Sequence, residues 1–133
     1  MKILCIGRNY VAHAKELGNE VPQEPVIFIK PSTALAQGAK SFSIPSFSSD
    51  LHYECEIVLR ISQHAKQIAI EKASQIYDAL TVGIDFTARD VQQKLKDKGL
   101  PWEKAKAFDQ SAIIGEWRDA AAFKNKRDIH FCL

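Results

Sequence analysis

Two acids one residue apart, Glu54-Cys55-Glu56, open an apolar run, Ile57-Val58-Leu59, and a third acid, Asp85, closes another, Ala79-Leu80-Thr81-Val82-Gly83-Ile84. No other feature of the chain constrains its fold as tightly. Strand side chains alternate between faces with a period of two, so Glu54 and Glu56 share one face and Cys55 takes the opposite one. Neighbouring carboxylates repel, and burying them without compensation is costly. A hard divalent cation, its shell completed by Asp85 from an adjacent strand, would resolve that conflict. The plainer alternative is a solvated acidic edge strand, which an E-x-E pair fits as well.

At 133 residues the chain has the length of one domain, expected to span residues 1–133. Apolar residues make up 46% and charged residues 26%, the balance of a soluble globular protein. A formal charge of +2 argues against a nucleic-acid partner, because the lysine clusters at 94–98, 104–106 and 124–127 are interspersed with other residues and with acids. Cys5, Cys55 and Cys132 are widely spaced and form no CxxC, which fits reduced thiols better than a disulfide framework or a zinc site. No apolar stretch reaches membrane-spanning length, and Met1-Lys2 leads straight into Ile3-Leu4-Cys5-Ile6 without a presequence. A cytoplasmic protein without membrane association is expected.

Residues 3–6 read as a short buried strand, 9–17 as one or two helical turns, 19–25 as a polar loop and 26–29 as a strand closed by Pro31. Residues 33–45 read as loop with short extended pieces. A strand is expected over 54–61, a helix over 68–78 from the spacing of Ile70, Ala73, Ile76, Tyr77 and Leu80, and a strand over 80–85. Thr87 can cap a helix whose third position is Asp90 and which ends at Gly99 before Pro101. A brief strand follows at 112–114. Residues 128–133 begin an alternating pattern, with Ile129, Phe131 and Leu133 on one face, that stops unfinished; a truncated chain is the expectation it raises.

Several residues can carry chemistry. His13 and Glu16 are three apart, hence neighbours on a helix, where a carboxylate raises the basicity of an imidazole as a water-activating base requires; a surface ion pair is the alternative. Arg89 and Gln92 have the same spacing at a helix start that favours an anion, or they form a solvated face. Lys106, in a loop with Trp102 and Phe108 nearby, reads as a site cation or a snorkelling surface lysine. Lys30, at a strand end, reads as exposed.

Taken together, the segments resemble the fumarylacetoacetate hydrolase family, in its short acylpyruvase and oxaloacetate decarboxylase branch. The matching pieces are Gly7-Arg8-Asn9-Tyr10 with His13, the stretch Glu24-Pro25-Val26-Ile27-Phe28-Ile29-Lys30-Pro31-Ser32-Thr33, and His52-Tyr53-Glu54-Cys55-Glu56. Asp85-Phe86-Thr87-Ala88-Arg89-Asp90-Val91-Gln92, Gly99-Leu100-Pro101-Trp102 and Ala105-Lys106-Ala107-Phe108-Asp109 complete the series. The resemblance implies an α+β, β-rich fold, a mixed rolled sheet with a few short helices, incomplete at its C-terminal end, and a homodimer. It implies Mg²⁺ or Mn²⁺ held by Glu54, Glu56 and Asp85, an acid/base pair in His13 and Glu16, a catalytic Lys106, and substrate contacts from Lys30, Arg89 and Gln92.

The activity implied is hydrolysis of a C–C bond in acylpyruvates through a pyruvate enolate, with a small 2-oxo acid as ligand. Oxaloacetate decarboxylation or tautomerisation on the same site is the alternative, and an inactive fragment or binding module is a reading of another class. The polar loop over residues 18–24 would serve as a lid that excludes water.

Overall fold

The computed structural model describes residues 1–16, 18, 20–36, 41–124 and 129–131, except for the side chains of His13 and Ala14. Two antiparallel sheets carry the fold. In the first, β1 (Lys2–Gly7) pairs with β2 (Val26–Pro31), and the connection between them holds the short helix α1 (Val11–Glu16). In the second, β3 (Leu51–Ile61) pairs with the long strand β4 (Tyr77–Ala88), which in turn pairs with β5 (Ala112–Ile114) and β6 (Arg118–Asp119). Helices α2 (Arg89–Asp97) and α3 (Glu103–Lys106) fill the connection from β4 to β5. The ladders are antiparallel, and a parallel bridge joins Leu35 to Ala112. This is the β-rich α+β architecture with few short helices that the family resemblance implies.

Register decides what meets what. Glu54 lies directly opposite Asp85, and Glu56 opposite Gly83, so the three acids share one sheet face, with the directly opposed pair about 5 Å apart at Cβ. Gly83 admits no side chain: a Cβ there would lie 2.8 Å from both Ile113 O and Val58 Cγ2. The opposite face carries Tyr53, Cys55, Ile57 and Leu59, and three of these, Tyr53, Ile57 and Leu59, remain substantially exposed. The sheet therefore buries its polar face. Among the described residues the largest fully buried side chains are Lys30, Thr87 and Ser111, and the buried apolar residues are mostly alanines.

Four expectations need correction. Residues 68–78 form no α-helix: Ile70–Gln75 is a single exposed 3₁₀ segment and the strand already begins at Tyr77. Ile70 is 83% exposed, Tyr77 and Leu80 belong to the strand, and the few residues left over have too little packing to hold so short a helix. Thr87 is no helix cap; Ala88 occupies that position without a side-chain bond, and Thr87 points into the interior. Residues 3–6 form a strand but not a buried one, since Leu4 and Ile6 lie on its open face opposite Ile29 and Ile27. Lys106 ends a short helix rather than lying in a loop. The expected strand over 128–133 lies partly outside the described residues; within it, residues 129–131 join no ladder. The expected lid over 18–24 includes Asn19, also outside them.

Candidate active site

The two sheets meet at Asp85. Its Oδ2 accepts a bond from Lys106 Nζ at 2.8 Å, and its Oδ1 lies 2.9 Å from Lys30 Nζ. Lys106 Nζ also donates to Glu54 Oε2 at 2.6 Å and to Thr87 Oγ1 at 2.5 Å, so all three ammonium protons are taken. Arg89 donates to Glu54 Oε1 through Nη2 and to Gln92 Oε1 through Nη1 at 2.6 Å, and its Nε faces His52 Nδ1 at 3.4 Å. Four elements thus deliver one charge network: β3 gives Glu54 and Glu56, β4 gives Asp85 and Thr87, α2 gives Arg89 and Gln92, and α3 gives Lys106.

Lys30 reaches the network from the other sheet. Buried to 1% exposure, its ammonium donates to the Lys106 carbonyl, to Ser111 O at 3.0 Å, to Ser111 Oγ at 3.0 Å and, at 3.3 Å, to Phe86 O. Three protons cannot also be aimed at Asp85, so Asp85 Oδ1 has an ion pair but no directed hydrogen bond. Burial lowers the Lys30 pKa, an effect Asp85 partly offsets. The lysine expected at an exposed strand end is instead the post that fixes Asp85, α3 and β5 relative to one another.

The acids differ in charge balance. Burial alone would raise the Glu54 carboxyl, but Lys106 and Arg89 outweigh it and hold it below its usual range. At Glu56 the balance is reversed: burial and the charges of Asp85 and Glu54 push it up to about 7, while the Tyr10 hydroxyl beside it and, less, Lys106 work the other way. Tyr10 is anchored by the Ile57 amide, which donates to its hydroxyl at 3.3 Å. Burial also pushes the Cys5 thiol up to about 11, so this cysteine is a poor nucleophile.

Among the described residues no three acidic, histidine or cysteine side chains converge on one point. The Lys106 ammonium bridges Glu54 and Asp85, and Glu56 turns to Tyr10. The donor set still suits a hard divalent cation. Three carboxylates share a face, Asp85 Oδ1 is a buried oxygen lacking a hydrogen bond among the described residues, and burial with the charges of Asp85 and Glu54 disfavours the ionised form of Glu56, which a cation would favour. Such an ion fits once Lys106 yields its place between Glu54 and Asp85.

Lys30, Glu54, Glu56, Asp85, Arg89, Gln92 and Lys106, all identified from sequence, line one cleft of about 670 Å³ between the sheets. A second cleft of about 840 Å³, lined by Ile29, Phe47, Val91 and Phe108 among others, is mainly apolar and holds none of these groups. Backbone positions 13 and 16 share α1, but Glu16 does not line the cleft and the His13 side chain lies outside the described residues. Sequence reasoning missed Thr87, Ser111, Tyr10 and His52. Thr87 and Ser111 were legible only as generic cap or loop hydroxyls, and Tyr10 only as the last residue of the Gly7-Arg8-Asn9-Tyr10 segment.

The sequence matches the family described as fumarylacetoacetate (FAA) hydrolase C-terminal over residues 2–132. The oxaloacetate tautomerase of Escherichia coli is 43% identical over 122 residues, covering 92% of this chain and 56% of that protein. The mitochondrial oxaloacetate tautomerase of Arabidopsis thaliana is 45% identical over 132 residues, covering 99% and 59% respectively. The crystal structure of fumarylpyruvate hydrolase from Pseudomonas aeruginosa, in complex with Mn²⁺ and pyruvate, superposes with a TM-score of 0.87 at 37% identity, covering 96% of this chain and 57% of that one. The chain spans somewhat more than half the length of these relatives.

Proposed function

Because the chain belongs to the fumarylacetoacetate hydrolase family, we propose that it binds 2-oxo acids and hydrolyses a C–C bond in acylpyruvates through a pyruvate enolate. The observation that carries this reading is the pairing of three face-sharing carboxylates with the buried Lys106 and the half-buried Arg89 in one cleft. Glu54, Glu56 and Asp85 would hold Mg²⁺ or Mn²⁺. When bound, such an ion supplies Lewis-acid neutralisation of the negative charge that develops on the 2-oxo oxygen.

The chain's own residues supply the rest. Arg89, with Gln92 bonded to it, orients the substrate carboxylate at the start of α2. Lys106, once it gives up its place between Glu54 and Asp85 to the ion, sets a positive charge beside the oxygen that becomes the enolate. Lys30 holds the Lys106 backbone through its carbonyl and holds Asp85 through an ion pair, leaving the Lys106 ammonium free to shift. His13, assisted by Glu16, takes a proton from water as the water oxygen bonds to the distal carbonyl carbon. The C3–C4 bond then breaks, its electrons pass into the enolate, and the proton is returned to C3, giving pyruvate and a carboxylic acid.

A second reading, oxaloacetate tautomerisation or decarboxylation, is favoured by the oxaloacetate tautomerases among the relatives. Decarboxylation passes through the same pyruvate enolate, tautomerisation needs only proton transfer at C3, and neither needs an activated water. Assays of the purified chain with acetylpyruvate and with oxaloacetate, in Mg²⁺ and in chelator, separate the two. Metal-dependent cleavage of acetylpyruvate is expected, and Glu16→Ala should lower it at least about tenfold more than it lowers tautomerisation. Equal losses would remove the water-activating role, and turnover of oxaloacetate alone would establish the second reading.

A further inference from the structure

Lys106 must release Glu54 and Asp85 before those acids can take an ion, and its ammonium then needs another host. The backbone cannot supply the movement. Lys106 N donates to Trp102 O at 3.0 Å, and the Lys106 carbonyl accepts from Lys30 Nζ and, at 2.9 Å, from Ser111 Oγ. The shift is therefore confined to the side chain.

Two uncharged groups already meet that ammonium. Thr87 Oγ1 accepts from Lys106 Nζ at 2.5 Å, and the centroid of the Phe28 ring lies 5.1 Å from the same nitrogen, within reach of a cation–π contact. Thr87 is fully buried and stands two residues from Asp85 on β4, hence on the face that carries the acids. Valine would fill this strand position with the same branched shape, whereas a buried hydroxyl is costly unless it is bonded. The bond that accounts for it is the one to Lys106. Phe28 comes from β2, in the other sheet, and lines the cleft.

We propose that Thr87, with the Phe28 ring beside it, is a positioning residue for Lys106: its bond persists when the bonds to Glu54 and Asp85 are given up. The ammonium then stays beside the acids with two protons free for the oxygen that becomes the enolate. This assignment rests on the 2-oxo acid reading and deepens it. Because the Thr87 bond is made before and after that release, its loss should leave metal affinity unchanged and impair the distinction between a neutral carbonyl and an enolate.

Pyruvate and oxalate are matched probes of that distinction. Each chelates a divalent ion through a carboxylate and the adjacent oxygen, and oxalate carries there the negative charge that pyruvate acquires only as its enolate. Calorimetry on the Mn²⁺-loaded chain compares Thr87→Val, Thr87→Ser and Phe28→Leu, each with Lys106 and with Lys106→Met. With Lys106 present, Thr87→Val should weaken oxalate about tenfold and pyruvate by no more than about twofold, as loss of a bond to a charged group warrants. Thr87→Ser should retain wild-type binding. Phe28→Leu, which tests the same cradle should Thr87→Val not fold, should weaken oxalate about threefold. In the Lys106→Met chain neither substitution should weaken oxalate further. Should Thr87→Val weaken oxalate, pyruvate and Mn²⁺ alike, or weaken oxalate as much without Lys106, the positioning role falls while the 2-oxo acid reading stands. Oxalate affinity indifferent to Lys106→Met itself would overturn both.

Discussion

Asp85→Ala should destabilise the chain by about 3–5 kcal/mol, a large share of the 5–15 kcal/mol that typically separates folded from unfolded states. The reason lies in what the carboxylate faces. Lys30 Nζ sits at one oxygen and Lys106 Nζ at the other, and both lysines are almost fully buried. Removing Asp85 leaves Lys30 with neutral carbonyl and hydroxyl partners only, whereas Lys106 keeps Glu54. Lys30 therefore bears most of the loss. Adding Lys30→Met to Asp85→Ala removes the stranded charge and should recover part of the stability, so the two effects will not add. Urea unfolding of the four proteins in chelator measures this; a loss below about 1 kcal/mol for Asp85→Ala would contradict a buried charge pair at this site.

Lys106→Met should lower kcat for 2-oxo acid turnover by about 10²–10³, the range seen when a preorganised oxyanion-stabilising donor is lost. Substrate KM should change far less, because Arg89 and Gln92 remain. The same substitution should tighten Mn²⁺ binding, since the ammonium now bonded to both Glu54 and Asp85 no longer competes for their oxygens. Opposite signs for metal affinity and turnover distinguish a catalytic cation from a structural one. A fall in both together would mean that Lys106 chiefly holds the acids in position.

Much of the site was legible because period-two alternation is local information. Glu54 and Glu56 had to share a face once the segment was a strand, and they do. That Asp85 stands directly across from Glu54 was not legible, because register depends on a partner strand and on the bulge between Arg60 and Ile61. Lys30 was misjudged for a related reason. The strand continues to Pro31 rather than closing at residue 29, and alternation from Val26 and Phe28 then turns Lys30 inward. The apolar spacing from Ile70 to Leu80 shows the opposite failure: it suits a helix, but Tyr77 and Leu80 are taken by β4 and Ile70 is left exposed. Ser111 and Thr87 became visible only when the fold placed lysine ammoniums against their hydroxyls.

Mn²⁺ titration followed by electron paramagnetic resonance, in which bound Mn²⁺ leaves the free-ion signal, addresses the three acids themselves. One Mn²⁺ per chain should bind, and Glu54→Gln, Glu56→Gln and Asp85→Asn should each weaken that binding at least about tenfold. A chain that takes up no Mn²⁺, or one whose affinity is indifferent to all three substitutions, would contradict a metal-holding sheet face.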